Sequence, residues 1–479
     1  MPAMDRSDIA PGPVRALFPA REIRTSVEDR LTRVLADAQA RVAKGSVVPT
    51  LDIERFRAEL AHFDFRSARP LEEMLDWTVA QLEHGLVHLT HPRYFGLFNP
   101  APSFPSQCAD RVAASFNPQL ATWTTSPAAV EIEAHVIGAM TRRAGLPEGA
   151  RGHFTSGGSE ANFSALLCAL TMADGRFADD GARAFGAPVV FYSSAESHLA
   201  WLKIAHQAGI GRSAVRLVAT DGCGRMSAAA LRQALQEDRA RGRIPVMIVA
   251  TAGTTNAGMI DPLAECAAIA EQAGVWYHVD AAWGGAVLAS ERCGTVLRGL
   301  ERADSITVDA HKWFATTMGC GMFLIRNAAA LDKTFQVSTT YMPSNRASLD
   351  PYVSTFQWSR RFLGLRLFLS LGAAGWPGYA AHVERAIDLT DQLKYELAAR
   401  GWRIANDSVL AVLCVEPPEG CCEIATLVAR VLASGRAWVG VANFEGRKVI
   451  RICVTHGEAG VADVHELVDV LEASKSPAP

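Results

Sequence analysis

The stretch "SITVDAHKWF" (residues 305–314) begins like a buried strand and ends on a lysine. Hydrophobic or β-branched residues alternate with polar ones in its first half, and Asp309, His311 and Lys312 follow with Trp313 behind them. Lysine is almost never fully buried unless it has a partner or a chemical role. The stretch therefore indicates either that a strand of the core delivers Lys312 to a site of chemistry, or that a surface lysine follows a strand.

Other short apolar runs alternate with helical segments on both sides of this stretch. They are "APVVFYSS" (187–194), "IPVMIVAT" (244–251), "VWYHVDAA" (275–282) and "GMFLIR" (321–326). Strands that alternate with helices are typical of an α/β domain with a mostly parallel sheet. We therefore predict a large α/β domain over residues 96–375.

The segments outside this domain have different patterns. Residues 1–95 show apolar positions at helical spacing, and a helical segment of this size is expected to pack on another surface, such as a second subunit. Residues 376–479 combine a helix, strand-like pieces and a final amphipathic helix. They predict a small α+β C-terminal domain.

Composition excludes several classes of function. The formal net charge of the 479 residues is −3 and there is no basic stripe, so nucleic-acid binding is not expected. The N-terminus lacks the apolar core of a signal peptide, and no run of 18 apolar residues predicts a membrane span. The ten cysteines are scattered without metal spacing, so we predict free buried thiols, no metal site and a cytoplasmic location.

Three more motifs lie at predicted strand ends, where ligands bind in open α/β sheets. In "HFTSGGSEAN" (153–162), backbone N–H groups with Ser156 or Ser159 would hold a phosphate, although a plain turn and helix cap fits equally. In "YSSAESHLAW" (192–201), His198 would stack on a planar ring, or is an ordinary polar residue. In "WYHVDAAWGG" (276–285), Asp280 would pair with a buried cation, or caps a helix.

Taken together, the four motifs predict one cofactor, pyridoxal 5′-phosphate. This cofactor needs a lysine for its Schiff base, a carboxylate that keeps the pyridine nitrogen protonated, and a phosphate cradle. Lys312, Asp280 and the glycine-rich stretch supply these three groups. A desolvated lysine is also a better nucleophile, because burial lowers the pKa of a lysine in general.

The motifs, with "ATAGTTNAGMIDPL" and "QWSRRFLGLRLFLSL", resemble the group II pyridoxal-dependent decarboxylases. That family includes aromatic-amino-acid, glutamate and diaminobutyrate decarboxylases, and the resemblance runs from about residue 25 to 470. It implies the aspartate-aminotransferase-like fold (fold type I). It also implies a homodimer with shared active sites, in which the N-terminal helices wrap the partner subunit.

The resemblance also implies roles for individual residues. Lys312 would be the Schiff-base lysine, Asp280 the partner of the pyridinium nitrogen and His198 the ring that stacks on the cofactor. Ala282 would pack on the opposite ring face, and Thr251 would lie near the 3′-oxygen or Asp280. The phosphate would contact Gly158, Ser159 and His311.

Two segments, 91–106 and 122–133, resemble the substrate pocket of the family, and we take Phe98, Asn99 and Trp123 from them as pocket residues. The long polar segment 336–357 matches the family's mobile catalytic loop. Its tyrosine returns a proton to the substrate carbanion in many decarboxylases. Tyr352 is the first candidate for this role and Tyr341 the second.

The chain also departs from the family. Leu89 stands where aromatic-amino-acid decarboxylases usually have Trp, which argues against a pocket for indole or catechol. Asp309 replaces a frequent Asn, and an acid beside a phosphate needs a partner. Arg451 in "VIRICVTH" either anchors a substrate carboxylate or is a structural arginine.

We therefore predict a carboxy-lyase that decarboxylates an L-amino acid or amino-acid conjugate through a Lys312 Schiff base. Two alternatives begin with the same cofactor chemistry. One is an oxidative deaminase that forms an aldehyde with decarboxylation. The other is a C–S lyase of cysteine S-conjugates in a biosynthetic pathway such as lincosamide assembly. The cofactor motifs leave the choice open.

Overall fold

The computed structural model describes residues 12–337 and 350–475. Its N-terminal part is helical, as predicted, and consists of α1 (Arg21–Val42), α2 (Ile53–Leu60) and α3 (Leu71–Gly85). Helices α1 and α3 pack on each other, but α2 and α3 bury no residue fully. Large apolar side chains of this part, such as Leu17, Phe18 and Phe65, remain exposed.

The large domain is built on one seven-stranded sheet. Its strands are β1 (Arg151–Thr155), β2 (Val189–Ser194), β3 (Val215–Val218), β4 (Ile244–Thr251), β5 (Trp276–Asp280), β6 (Ser305–Asp309) and β7 (Gly321–Ile325). Their order across the sheet is β1-β7-β6-β5-β4-β2-β3, and of these seven strands β7 alone runs antiparallel to its neighbours. The predicted, mostly parallel sheet is confirmed.

Nine α-helices of the described residues belong to this domain. They are α4 (Phe104–Phe116), α5 (Pro127–Arg143), α6 (Gly158–Ala173), α7 (Phe177–Asp180), α8 (Ala200–Gln207), α9 (Ala228–Ala240), α10 (Leu263–Ala273), α11 (Glu291–Gly294) and α12 (Ala329–Phe335). Of these nine, α5, α6, α8, α9 and α10 pack on the strands of the sheet. Helix α6 is extensively buried, because its small residues pack against β4, β5, β6 and β7. This close packing brings the start of α6 next to the carboxyl ends of β5 and β6.

The C-terminal part begins with α13 (Gly364–Ala399), which is interrupted at Gly375 (φ 63°). Such a positive φ is favourable mainly for glycine. The remaining elements are β8 (Arg403–Ile404), β9 (Val412–Glu416), α14 (Ile424–Ala433), β10 (Gly440–Phe444), β11 (Arg447–Cys453) and α15 (Val461–Ala473). The four strands form an antiparallel sheet in the order β10-β11-β9-β8. The domain limits at residues 95 and 375 stay predictions, and the interruption at Gly375 lies beside the second one.

The cysteines behave partly as predicted. All ten are free in the described part of the chain, but only Cys168, Cys266, Cys320, Cys414 and Cys453 are buried. The other five are partly accessible, so burial was predicted correctly for half of them. Across residues 12–337 and 350–475, no helix combines the length and the apolar character that a membrane crossing requires.

Candidate functional site

A cavity of about 340 Å³ lies at the carboxyl ends of β4, β5 and β6. Ten of the twelve side chains that the sequence predicted for the site line this cavity: Phe98, Asn99, Gly158, Ser159, His198, Thr251, Asp280, Ala282, His311 and Lys312. They come from segments that are up to about 200 residues apart. Parallel strands bring them together because their carboxyl ends share one edge of the sheet.

Asp280 is the last residue of β5 and is 6% exposed. Its Oδ2 accepts a hydrogen bond from Asn162 Nδ2 (2.8 Å), and its Oδ1 accepts one from the backbone N–H of Ala282 (3.1 Å). A buried carboxylate is tolerated when such bonds satisfy it. The same side chain lines the cavity, so it presents a fixed acceptor to a ligand.

The start of α6 forms a second wall of the cavity. The first helical residue is Gly158, and the unpaired N–H groups of a first helical turn are a ready site for an anion. A Cβ atom at Gly158 would lie 2.9 Å from Asp309 Oδ2 and 3.3 Å from Ala282 Cβ. Only glycine therefore allows this close approach of the helix to the strand ends.

Lys312 follows β6 and its side chain is 22% exposed. Its Nζ lies 3.1 Å from Asp309 Oδ2, and Asp309 is 2% exposed. An acid at position 309 needs a partner, and Lys312 is that partner. The lysine therefore has a charged partner in the cavity and faces the space between α6 and β5.

The remaining predicted residues surround this centre. His311 is buried, its Nδ1 accepts from Cys320 N–H (3.2 Å), and its ring lies beside Gly157. Thr251 ends β4 next to Asp280 in the sheet register, and its hydroxyl lies 2.9 Å from Ser197 Oγ. His198 is exposed on the turn after β2 and accepts from the N–H of Ala200.

Aromatic rings form the wall behind Lys312. The rings of Phe98 and Trp283 stack with centroids 4.4 Å apart, and those of Trp283 and Trp313 at 4.9 Å. The Arg451 guanidinium lies 4.5 Å from the Phe98 centroid, a cation–π contact. Arg451 also donates to the backbone carbonyls of Thr255 (2.8 Å) and Gly96 (2.5 Å). This arginine joins the small domain to the site.

Sequence reasoning missed Asn162 and His278, although both lie inside the quoted motifs. His278 is two residues before Asp280 on β5, so it shares the sheet face of Asp280, a signal that the period of a strand provides. Asn162 lies one turn into α6, on the side that faces the sheet. His278 Nε2 contacts Asn162 Oδ1 at 3.1 Å, which links both residues to the carboxylate.

Two predicted residues do not line this cavity. Tyr352 is buried, and its ring packs against Trp358 with centroids 5.0 Å apart. Trp123 is partly buried, and its backbone N–H donates to Asp350 Oδ1 (2.7 Å). The N–H of Tyr352 donates to the carbonyl of Ala121, so the two segments are held side by side. Tyr341 lies outside the described residues.

The residues present fit the predicted cofactor, since the cavity combines a lysine, a hydrogen-bonded carboxylate and a helix N-terminus. No group of three or more His, Cys, Asp or Glu side chains in the described ranges is placed to hold a metal ion. The donor set therefore matches an organic phosphate with a basic ring nitrogen.

Comparisons with known proteins point to the same chemistry. The pyridoxal-dependent decarboxylase conserved domain matches residues 64–415. An aromatic-L-amino-acid decarboxylase of Bacillus atrophaeus is 28% identical over 421 residues, which are 85% of this chain and 86% of that protein. An L-2,4-diaminobutyrate decarboxylase of Rhizobium meliloti is 36% identical over 312 residues, 64% and 61% of the two chains.

The fold comparison agrees. The crystal structure of mouse CSAD in apo form superposes with a TM-score of 0.90 at 25% identity, and the match covers 96% of this chain and 100% of that one. The predicted fold type I is therefore confirmed.

The pH dependence of stability tests the environment of His278. Burial lowers the pKa of His278 from 6.5 to about 4, so the folded protein keeps this ring neutral while the unfolded chain protonates it. The free energy of unfolding should therefore fall as the pH is lowered from 6.5 to 4, by roughly 3 kcal/mol from this residue. Urea unfolding at pH 7, 5.5 and 4.5 measures this loss.

His278→Gln removes the titrating ring and should make the loss smaller by that amount. The exposed His206 offers the matched control, since His206→Gln should leave the loss as in the wild type. Equal pH profiles for His278→Gln and the wild type would contradict the assignment.

Proposed function

The chain belongs to the pyridoxal-dependent decarboxylase family, and on this premise we propose that it decarboxylates an L-amino acid or amino-acid conjugate with Lys312 as the residue that binds the cofactor covalently. The cofactor is pyridoxal 5′-phosphate and the enzyme is a carboxy-lyase. One observation carries the assignment of residues: Lys312 and Asp280 line the same cavity, beside the N-terminus of α6.

We assign the cofactor contacts as follows. The first turn of α6, with Gly158 and Ser159, and the neighbouring His311 hold the phosphate. Asp280 holds the proton of the pyridine nitrogen, with Thr251 beside it. His198 and Ala282 lie on the two faces of the ring. When bound, the cofactor supplies an electron sink for the charge that departing CO2 leaves at the α-carbon.

Asp309 can hold the Lys312 side chain when that side chain is not bound to the cofactor. When a substrate amine replaces the lysine, Asp309 Oδ2 at 3.1 Å from Nζ can hold the released ammonium in the site. Lys312 then stays within reach as a proton donor. We propose that Lys312 or Tyr352 returns the proton to the α-carbon, which completes plain decarboxylation.

Product analysis tests the reaction. Purified holoenzyme incubated with a panel of amino acids and cysteine S-conjugates should release CO2 and an equal amount of amine without O2 uptake. CO2 with aldehyde, ammonia and O2 uptake would instead identify the oxidative deaminase, and pyruvate with ammonia but no CO2 would identify the C–S lyase. Lys312→Ala should abolish product and the cofactor's protein-bound absorbance band. Retention of that band would refute the role of Lys312.

We further propose a homodimer in which each subunit completes the other's site. Four large apolar side chains of the large domain, namely Phe104, Phe116, Met318 and Phe356, are each more than 60% exposed, and Met318 also lines the cavity. Exposed apolar surface of this extent marks an interaction site. Tyr352 and Trp123 do not line the cavity of their own chain, so the partner's cavity is the place we assign to them. A cytoplasmic location stays a prediction.

Mixed dimers test the shared site. Lys312→Ala subunits should be nearly inactive alone. Tyr352→Phe subunits should form little amine alone if Tyr352, and not Lys312, returns the proton to the α-carbon. A random mixture should recover about a quarter of the wild-type rate, because each mixed dimer contains one site with an intact Lys312 and the partner's intact tyrosine. The rate of amine formation after unfolding and refolding the mixture measures this, because CO2 leaves before the proton returns. No recovery, with dimers present by light scattering, would place Tyr352 on its own subunit's site.

We propose that Arg451 anchors a substrate carboxylate. Its Nη2 is buried and has no hydrogen-bond partner among the described residues, while Nε and Nη1 are held by backbone carbonyls. A buried guanidinium N–H without an acceptor is costly. A carboxylate beside Phe98 would supply the acceptor.

Arg451→Met should therefore raise KM by about tenfold or more, the value of one charge-assisted hydrogen bond, with a smaller change in kcat. Steady-state kinetics measure both constants. Arg447 lies on the same strand at the surface, so Arg447→Met should leave KM unchanged. An unchanged KM in Arg451→Met, together with a lowered Tm, would assign Arg451 to structure alone.

A further inference from the structure

A continuous chain of hydrogen bonds runs under the site and ends at Asp280. Trp276 Nε1 donates to Ser305 Oγ (2.8 Å), and Ser305 Oγ meets His278 Nδ1 (2.8 Å). His278 Nε2 meets Asn162 Oδ1 (3.1 Å), and Asn162 Nδ2 donates to Asp280 Oδ2 (2.8 Å). The chain joins β5, β6 and α6, and the cofactor contacts proposed above do not use its first four members.

We propose that this chain positions the Asp280 carboxylate as a charged acceptor and thereby keeps the ring nitrogen of the bound cofactor protonated. Asn162, His278 and Ser305 are positioning residues in this inference. It rests on the proposed function, because Asp280 must face the cofactor nitrogen for the chain to act on the cofactor.

The direction of every bond follows from the two ends. An indole N–H can only donate, so Ser305 Oγ accepts from Trp276 and its own hydrogen is free for His278 Nδ1. A carboxylate can only accept, so Asn162 turns its NH2 group to Asp280 and its carbonyl oxygen to His278. His278 must then carry its hydrogen on Nε2. The Asp280 end fixes this tautomer, and the Trp276 end is compatible with it because the Ser305 hydrogen can be donated to His278 Nδ1. All donors then point toward Asp280.

Burial stabilises this arrangement. Asn162, His278 and Ser305 are at most 3% exposed, and the ring of Trp201 covers His278 edge-on with centroids 5.7 Å apart. Burial also lowers the pKa of His278 to about 4. The neutral ring keeps a lone pair on Nδ1, which the bond from Ser305 needs.

The chain prevents the Asn162 amide from turning over. A turned amide would present its oxygen to the carboxylate oxygen and its NH2 group to the Nε2 hydrogen, so two repulsive contacts would replace two bonds. The charge-assisted bond from Asn162 to Asp280 is therefore held in place from behind. Loss of any link would leave the amide free to rotate and would weaken the support for the carboxylate.

Cofactor binding tests the inference without using the reaction. Asn162→Ala and His278→Leu break the chain. His278→Gln offers a rescue, because its amide oxygen can accept from Ser305 and its NH2 group can donate to Asn162. Tyr277→Phe is the matched control. It removes a buried hydroxyl from the residue of β5 that precedes His278. That hydroxyl donates to Leu263 O (2.8 Å) and takes no part in the chain of hydrogen bonds.

The dissociation constants of two cofactors are compared for each variant. One is pyridoxal 5′-phosphate and the other is an analogue with C–H in place of the ring nitrogen. Asn162→Ala and His278→Leu should weaken binding of the natural cofactor by about tenfold. Binding of the analogue should change much less. His278→Gln should recover most of the loss, and Tyr277→Phe should show no difference between the two cofactors.

The ¹⁵N chemical shift of the ring nitrogen in labelled cofactor gives a second readout. It should move toward the unprotonated value in the two broken variants and return in His278→Gln. Equal losses of affinity for both cofactors, together with an unchanged ¹⁵N shift, would overturn the inference. The hydrogen-bond chain would then serve packing alone. Ser305→Ala, a smaller change, gives the same comparison if His278→Leu does not fold. A Lys312→Ala variant that keeps the protein-bound absorbance band of the cofactor would instead overturn the proposed function.

Discussion

The buried carboxylate of Asp280 is the constraint on which the site depends. A carboxylate at the end of a central strand loses most of its hydration, and this loss is tolerated when hydrogen bonds replace the water. The replacements come from Asn162 on α6 and from the backbone turn at Ala282. Helix α6 must therefore pack closely on the sheet, and its glycine-rich start allows that packing. The same approach places the helix N-terminus beside Lys312.

The wall behind Lys312 is assembled from both the large domain and the small domain. Phe98 comes from the segment before α4, Trp283 and Trp313 follow β5 and β6, and Arg451 comes from β11 of the small domain. Their rings and guanidinium group stack in one row. Because Arg451 also donates hydrogen bonds to the carbonyls of Gly96 and Thr255, it ties β11 to the wall behind Lys312.

Much of this could be predicted from sequence because the key residues sit at the ends of apolar runs. The runs ending near Thr251, Asp280 and Asp309 predicted three strands of a mostly parallel sheet, and parallel strands align their carboxyl ends. The structure shows that the three are adjacent. Strand β3 was missed because "VRLV" lacks a long apolar run. Strand β1 was implied by the motif at 153–162, but "RGHFT" is too short and polar to give its range. Asn162 and His278 were missed because their importance arises from the packing of α6 on the sheet. Tyr352 and Trp123 do not line the cavity, and no pattern in their sequence segments indicates this.

The one-way row of donors beneath Asp280 also limits how the sequence can diverge. Asn162, His278 and Ser305 each accept on one side and donate on the other. A substitution that reverses one group leaves two like atoms facing each other in a buried place. Neutral drift at these positions must therefore proceed by paired replacements, and relatives that lack the histidine should also differ at the asparagine or the serine. An alignment of homologues would reveal that correlated change.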